Sequence, residues 1–226
     1  MKKILGAALG LLLSGAAAQA ATLYSTNFDG TLGSEWGGVT TQAAVGGYAS
    51  YGFSGSFLQN TSSGNPASAT TLTLSGLGPT ATLSFDLATI DSWDGWWDSG
   101  NAGGDWFNVA VNGVTVFSLS AAQASGEPWI PGNATAPIPH SNFFGQGWND
   151  GGFRVSIDLT GLTSDSTISF FSSGSGWQGS DDESWAIDNL TVTGDTAPVP
   201  LPASAPLLMM GVAGLAALRR RAKTTV

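Results

Sequence analysis

Between Thr22 and Thr193 the apolar residues recur at every second position in short runs, and Gly, Asn, Asp, Ser or Pro separates one run from the next. Side chains on extended backbone alternate between two faces, so this period marks strands with a buried side; a chain of amphipathic helices would need spacings of three and four, which no full window shows. The runs predict strands at 23–28, 47–53, 56–59, 69–74, 81–90, 107–111, 114–119, 153–159, 167–172 and 185–192. Ten short strands of this kind predict an all-β, two-sheet antiparallel β-sandwich of jelly-roll form. Within it, Asn112-Gly113 separates Val109-Ala110-Val111 from Val114-Thr115-Val116. Both turn residues tolerate positive φ, which predicts a type I′ hairpin. Residues 121–152 are expected to form a long loop, and no internal repeat is evident.

Charge divides the chain. Lys2 and Lys3 lie at one end and Arg219, Arg220, Arg221 and Lys223 at the other, so the stretch holding all 16 acidic residues, Asp29 to Asp195, contains Arg154 as its one cation. Nucleic acid and anionic lipid are excluded as partners of that stretch, because both need clustered Lys and Arg. Divalent cations fit it, and its negative charge is expected to keep it monomeric.

Residues 1–20 have the form of a signal peptide: basic Lys2-Lys3, an apolar run from Ile4 to Leu13, and a small-residue exit at Ala18-Gln19-Ala20. Export is expected, with a sandwich domain over 21–194 that folds without disulfides, since the chain has no cysteine. Residues 195–205 read as a Pro-rich linker containing Val199, Pro200, Leu201, Pro202 and Ala203, residues 206–218 as a transmembrane segment, and residues 219–226 as a basic cytoplasmic tail. The apolar run reaches only about 20 Å as a helix, so flanking residues and snorkelling arginines must extend it. This three-part end resembles the PEP-CTERM class of sorting signals in its V-P-L-P-A variant. The resemblance implies a Gram-negative type of envelope, an exosortase-type processing enzyme, transient residence in the inner membrane, and delivery to the cell surface or the extracellular polysaccharide.

Two motifs at the ends of the sandwich point to a metal. Asn27-Phe28-Asp29-Gly30 closes the first predicted strand, and Asp181 to Asn189 opens the last. If the terminal strands are neighbours, Asp29 and Asp188 approach each other, and two buried carboxylates repel unless a cation or backbone amides answer them. Calcium is the oxygen-seeking candidate, with Glu183 of the second motif as a further ligand. The alternative is that Asp29 caps a turn and Asp188 accepts from backbone amides. Together with Asp91 to Asp94 and Val111-Asn112-Gly113, these motifs resemble those of bacterial extracellular concanavalin-like and carbohydrate-binding-module jelly rolls. The resemblance implies a structural calcium at Asp29 and Asp188.

Residues 91–106 concentrate Trp93, Trp96, Trp97 and Trp106 with Asp94, Asp98 and Asp105. Flat aromatic faces stack on pyranose C–H faces and carboxylates accept from sugar hydroxyls, so these seven residues are candidate glycan ligands. A calcium loop, or a core role for Trp93 and Trp106, are the competing readings, and Trp129 and Trp148 could widen a platform. Catalysis is disfavoured. The one histidine, His140, lies beside Pro139, and no G-x-S-x-G motif or glucanase E-x-D-x-x-E strand is present. The expected function is that of an exported, noncatalytic surface or matrix protein that binds or is embedded in exopolysaccharide. The alternatives are a structural or adhesive envelope protein without a glycan site, or a secreted glycan hydrolase.

Overall fold

A computed structural model describes residues 21–96, 103–143, 147–196 and 211–213, and its contacts divide the chain into units 1–196 and 197–226. Among the described residues the first unit is all-β apart from one 3-10 helix. Its strands are β1 (Ala21–Thr26), β2 (Trp36–Gly38), β3 (Thr41–Ala44), β4 (Ser56–Asn60), β5 (Thr70–Ser75), β6 (Leu77–Asp91), β7 (Trp106–Val111), β8 (Val114–Leu119), β9 (Ala134–Ser141), β10 (Asp150–Thr160), β11 (Asp165–Ser173) and β12 (Glu183–Thr196). One antiparallel sheet runs β3-β4-β12-β6-β10-β9, with β1 also on β12; the other runs β2-β5-β11-β7-β8. In the second unit residues 211–213 are helical. Among the described residues no helix is long and apolar enough to cross a membrane, and the expected span 206–218 lies largely outside them.

Alternation builds the core. In β10, Phe153, Val155, Ile157 and Leu159 are buried while Arg154, Ser156, Asp158 and Thr160 face outward. Phe107 of β7 packs against Phe85, Phe170 and Trp185 with ring centroids 5.9, 6.5 and 5.1 Å away, which ties both sheets together. Burying each such ring contributes about 1.5–3 kcal/mol. The Asn112-Gly113 hairpin is as expected, with φ of 50° and 84° and Val111 opposite Val114.

Three departures from the expected strands matter. Residues 46–51 form the 3-10 helix in place of a strand. It lays Tyr48, with Val45 and Phe53, on the outer face of the first sheet, where Ala88 of β6 and Ala186 of β12 leave room for a second apolar cluster. The Tyr48 hydroxyl donates to the carbonyls of Thr89 (3.0 Å) and Gly151 (2.7 Å). Short strands β2 and β3 were not marked by alternation, and β9 occupies part of the expected 121–152 loop. Pro137 and Pro139 disguise β9, and its place at the edge of the sheet tolerates them.

β12 positions everything that follows. One edge pairs with β6 almost throughout, while the other pairs first with β4 at 185–187 and then with β1 at 190–194. Asp188 and Asn189 sit at the seam where one partner ends and the next begins, and Asn189 takes a φ of 50° there.

Candidate functional site

The seam brings Asp29 and Asp188 together, as adjacent terminal strands require. Ser54, from the turn ahead of β4, lies between them: its N–H donates to Asp188 Oδ2 at 3.0 Å and its hydroxyl lies 3.5 Å from Asp29 Oδ2. Asp29 Oδ1 also accepts from the Ser56 N–H at 2.8 Å, and Asp188 Oδ1 from the Asn189 N–H at 2.7 Å. Gln42 of β3 holds the Asp29 loop by donating to the carbonyls of Phe28 and Gly30. Asp188 is fully buried, and burial pushes its carboxyl up to about 6, with Asp86 and Asp29 adding repulsion against the lowering effect of the amide donors. Asp86, opposite Asp188 on β6, takes Arg154 at 3.6 Å and the Asn189 side chain at 2.8 Å. Backbone amides therefore meet the seam carboxylates, the Asn27 side chain donates to Asp29 Oδ2 at 2.6 Å, and Asp29 Oδ1 and both Asp188 oxygens keep lone-pair capacity for an ion.

Glu183 does not join them. It lies five residues earlier on β12, on the opposite face and about 16 Å along the strand. There it is 1% exposed, accepts from the Gln178 N–H at 2.7 Å, and faces Asp105, which is fully buried just ahead of β7. Burial pushes both carboxyls upward; Glu183 adds repulsion at Asp105, while at Glu183 the Gln178 N–H and Asp105 oppose the rise and Asp182 and Asp94 add to it.

The Trp/Asp segment splits between interior and rim. Trp93 is fully buried, donates from Nε1 to the Ser184 carbonyl at 2.9 Å and packs edge-on against Trp177, so it cannot stack on a ligand. Asp105 is equally out of reach: its Oδ2 accepts from the Asp94 N–H at 2.6 Å, and its own N–H returns to the Asp94 carbonyl at 2.8 Å. Trp106 opens β7 half-buried, its neighbour Phe107 taking the core position. Trp97 and Asp98 lie outside the described residues, as do Val199, Pro200, Leu201, Pro202 and Ala203.

What remains at the rim is Trp96 with Trp129. Ser125 donates to Asp94 Oδ1 at 2.8 Å, and the Gly95 and Trp96 N–H groups donate to the Ser125 and Glu127 carbonyls, which lays 125–127 alongside 94–96. The two indole rings then meet edge-on at 6.1 Å. Trp129 is 53% exposed, Ile130 is 40% exposed, and Glu127 is exposed beside them. This pairing is not marked in the sequence, because the partner of Trp96 comes from a segment without alternation.

No family model and no curated protein matches the chain. Among solved structures it is similar to the CBM22-1 xylan-binding domain from Paenibacillus barcinonensis Xyn10C, at 14% identity over 81% of this chain and 100% of that one, with a TM-score of 0.41. It is also similar to the Agl-KA catalytic domain, at 16% identity over 86% of this chain and 31% of that one, with a TM-score of 0.32. Likenesses this distant leave function to be argued from the residues of this chain.

Proposed function

We propose that the sandwich is a noncatalytic polysaccharide-binding module of an exported protein that is anchored in the membrane in transit and then resides at the cell surface or in the extracellular matrix. The observation that carries this reading is the rim pair Trp96–Trp129, which presents exposed aromatic area beside Asp94 and Glu127. Aromatic faces with carboxylates at their margin suit pyranose rings, whose C–H faces stack while their hydroxyls donate. The signal-like residues 1–20 and the V-P-L-P-A end support export and processing by an exosortase-type enzyme. Calcium at Asp29 and Asp188 fits the seam, where two carboxylates converge on Ser54 and retain acceptor capacity. Its role there is structural: it holds the ends of β1 and β4 against β12.

Affinity electrophoresis through gels containing a panel of soluble polysaccharides tests the reading. Retardation in at least one gel, lost in both Trp96→Ala and Trp129→Ala while reducing-sugar release stays at background, is the expected result. Retardation that survives both substitutions removes the rim as the site.

A further inference from the structure

We propose that Asp105 and Glu183 hold a second hard divalent cation, calcium by its ligand chemistry, in the interior at the start of β12. Asp105 Oδ1 and Glu183 Oε1 are buried and accept from no N–H or O–H group. The side chains that carry them are 0% and 1% exposed, and the two carboxyl groups face each other within hydrogen-bonding reach. Two unsolvated anionic oxygens in contact demand a positive partner. Among the described residues none is at hand: Arg154 is the single Lys or Arg between residues 21 and 196, and it sits on Asp86 beside the seam. A proton shared by the pair would still leave one negative charge sealed in the interior, whereas a divalent ion cancels both.

The surroundings provide further oxygen atoms. Gly176 packs closely here: a Cβ at that position would meet the Gly103 carbonyl oxygen at 2.9 Å and Asp105 Oδ1 at 3.0 Å, so a backbone carbonyl shares the neighbourhood of the orphaned atom. Glu183 also borders a cleft of about 240 Å³ lined by Gln59, Asp91 and Asp181, which brings further oxygen ligands near that residue. All of these groups are oxygen ligands in an irregular arrangement, which suits the flexible coordination of calcium better than the strict octahedron of magnesium. This site is independent of the seam, since its carboxylates come from the opposite end of β12 and from the start of β7.

Terbium luminescence, sensitised through tryptophan, tests the assignment on the full-length chain after EDTA treatment. Trp106 adjoins Asp105 in sequence and Trp185 follows Glu183 by two residues, so donors are at hand. The wild type and Asp188→Asn are expected to show sensitised emission that calcium displaces, and Glu183→Gln or Asp105→Asn, each added to Asp188→Asn, to bring it to background while keeping the far-ultraviolet dichroism of a β protein. Equilibrium dialysis of Asp188→Asn against calcium provides a readout that does not depend on the interior variants folding: an ion still bound supports the site. Wild-type emission from a folded Glu183→Gln chain, or no ion retained by Asp188→Asn, overturns it. Failure of the seam reading alone appears as a stoichiometry unchanged in Asp188→Asn and lowered in Glu183→Gln, and failure of the interior reading alone as the reverse, so the two calcium readings fail separately.

Discussion

At the seam, Asp188 accepts from the backbone N–H groups of Ser54 and Asn189, whereas Glu183 at the other end of the same strand has the Gln178 N–H and then an oxygen with no donor. Both are carboxylates buried on β12, and burial raises both. The difference lies in the loops that come to meet them. Residues 52–56 turn their amides toward Asp29 and Asp188. Around Asp105 the nearby Gly176 N–H is spent on the Gly103 carbonyl at 2.8 Å. A strand can place a charge, but the connections decide whether it is met by the chain or must be met from solution.

That contrast can be broken most severely through its packing. Trp93→Ala removes a fully buried indole that donates to Ser184, one residue from Glu183, and is expected to cost about 3–5 kcal/mol by chemical denaturation. Terbium emission from the interior end should vanish with it, while calcium still raises the melting temperature through the seam. A smaller loss, about 1–3 kcal/mol, is expected for Asp188→Ala in calcium-free buffer, because the Ser54 and Asn189 amides lose their buried acceptor. Glu183→Gln should have the opposite sign there. Its amide can donate to Asp105 Oδ1 while its carbonyl keeps the Gln178 N–H, for a gain of about 1 kcal/mol that reverses once calcium is present. Two losses in EDTA would mean that the ends do not differ as described.

The pH response of the metal-free chain sharpens the same point. A carboxyl raised in the folded state binds protons that the unfolded chain releases, so its contribution falls as pH rises from the unfolded value near 4 through the folded one, about 6 for Asp188. Stability in EDTA should therefore be higher at mildly acidic than at mildly alkaline pH, and saturating calcium should flatten or invert the slope in thermal scans. The smallest effect on stability belongs to neither end: Trp129→Ala should stay within about 0.5 kcal/mol of wild type while abolishing retardation in polysaccharide gels.

Much of this molecule is legible in its sequence where alternation is strict. β10 and β11 follow from one buried face, and the hairpin follows from Asn112-Gly113. The 3-10 helix was misread because Tyr48, Tyr51 and Phe53 imitate a strand. The spacing of Tyr48 and Tyr51 by three fits a 3-10 turn equally well, and Gly52 at a φ of 99° closes it. The approach of Asp29 to Asp188 could be reasoned from the terminal strands. The pairing of Asp105 with Glu183 could not: they are brought together by a crossing between sheets that no local pattern encodes. Burial of Trp93 was equally hidden, since a tryptophan in a Gly- and Asp-rich segment looks the same whether it faces a sugar or the core.

The double pairing of β12 has a mechanical side. The strand begins beside the rim that carries Trp96 and Trp129, and it ends at Thr196, where the chain leaves the sandwich. Tension applied at that exit and resisted by something held at the rim runs lengthwise along β12. The hydrogen bonds to β6, β4 and β1 lie across that direction, so they are loaded together in shear rather than opened one after another. A module tethered in this way would yield late and abruptly, and an ion at the start of β12 or at its seam would act as a rivet along the line of force.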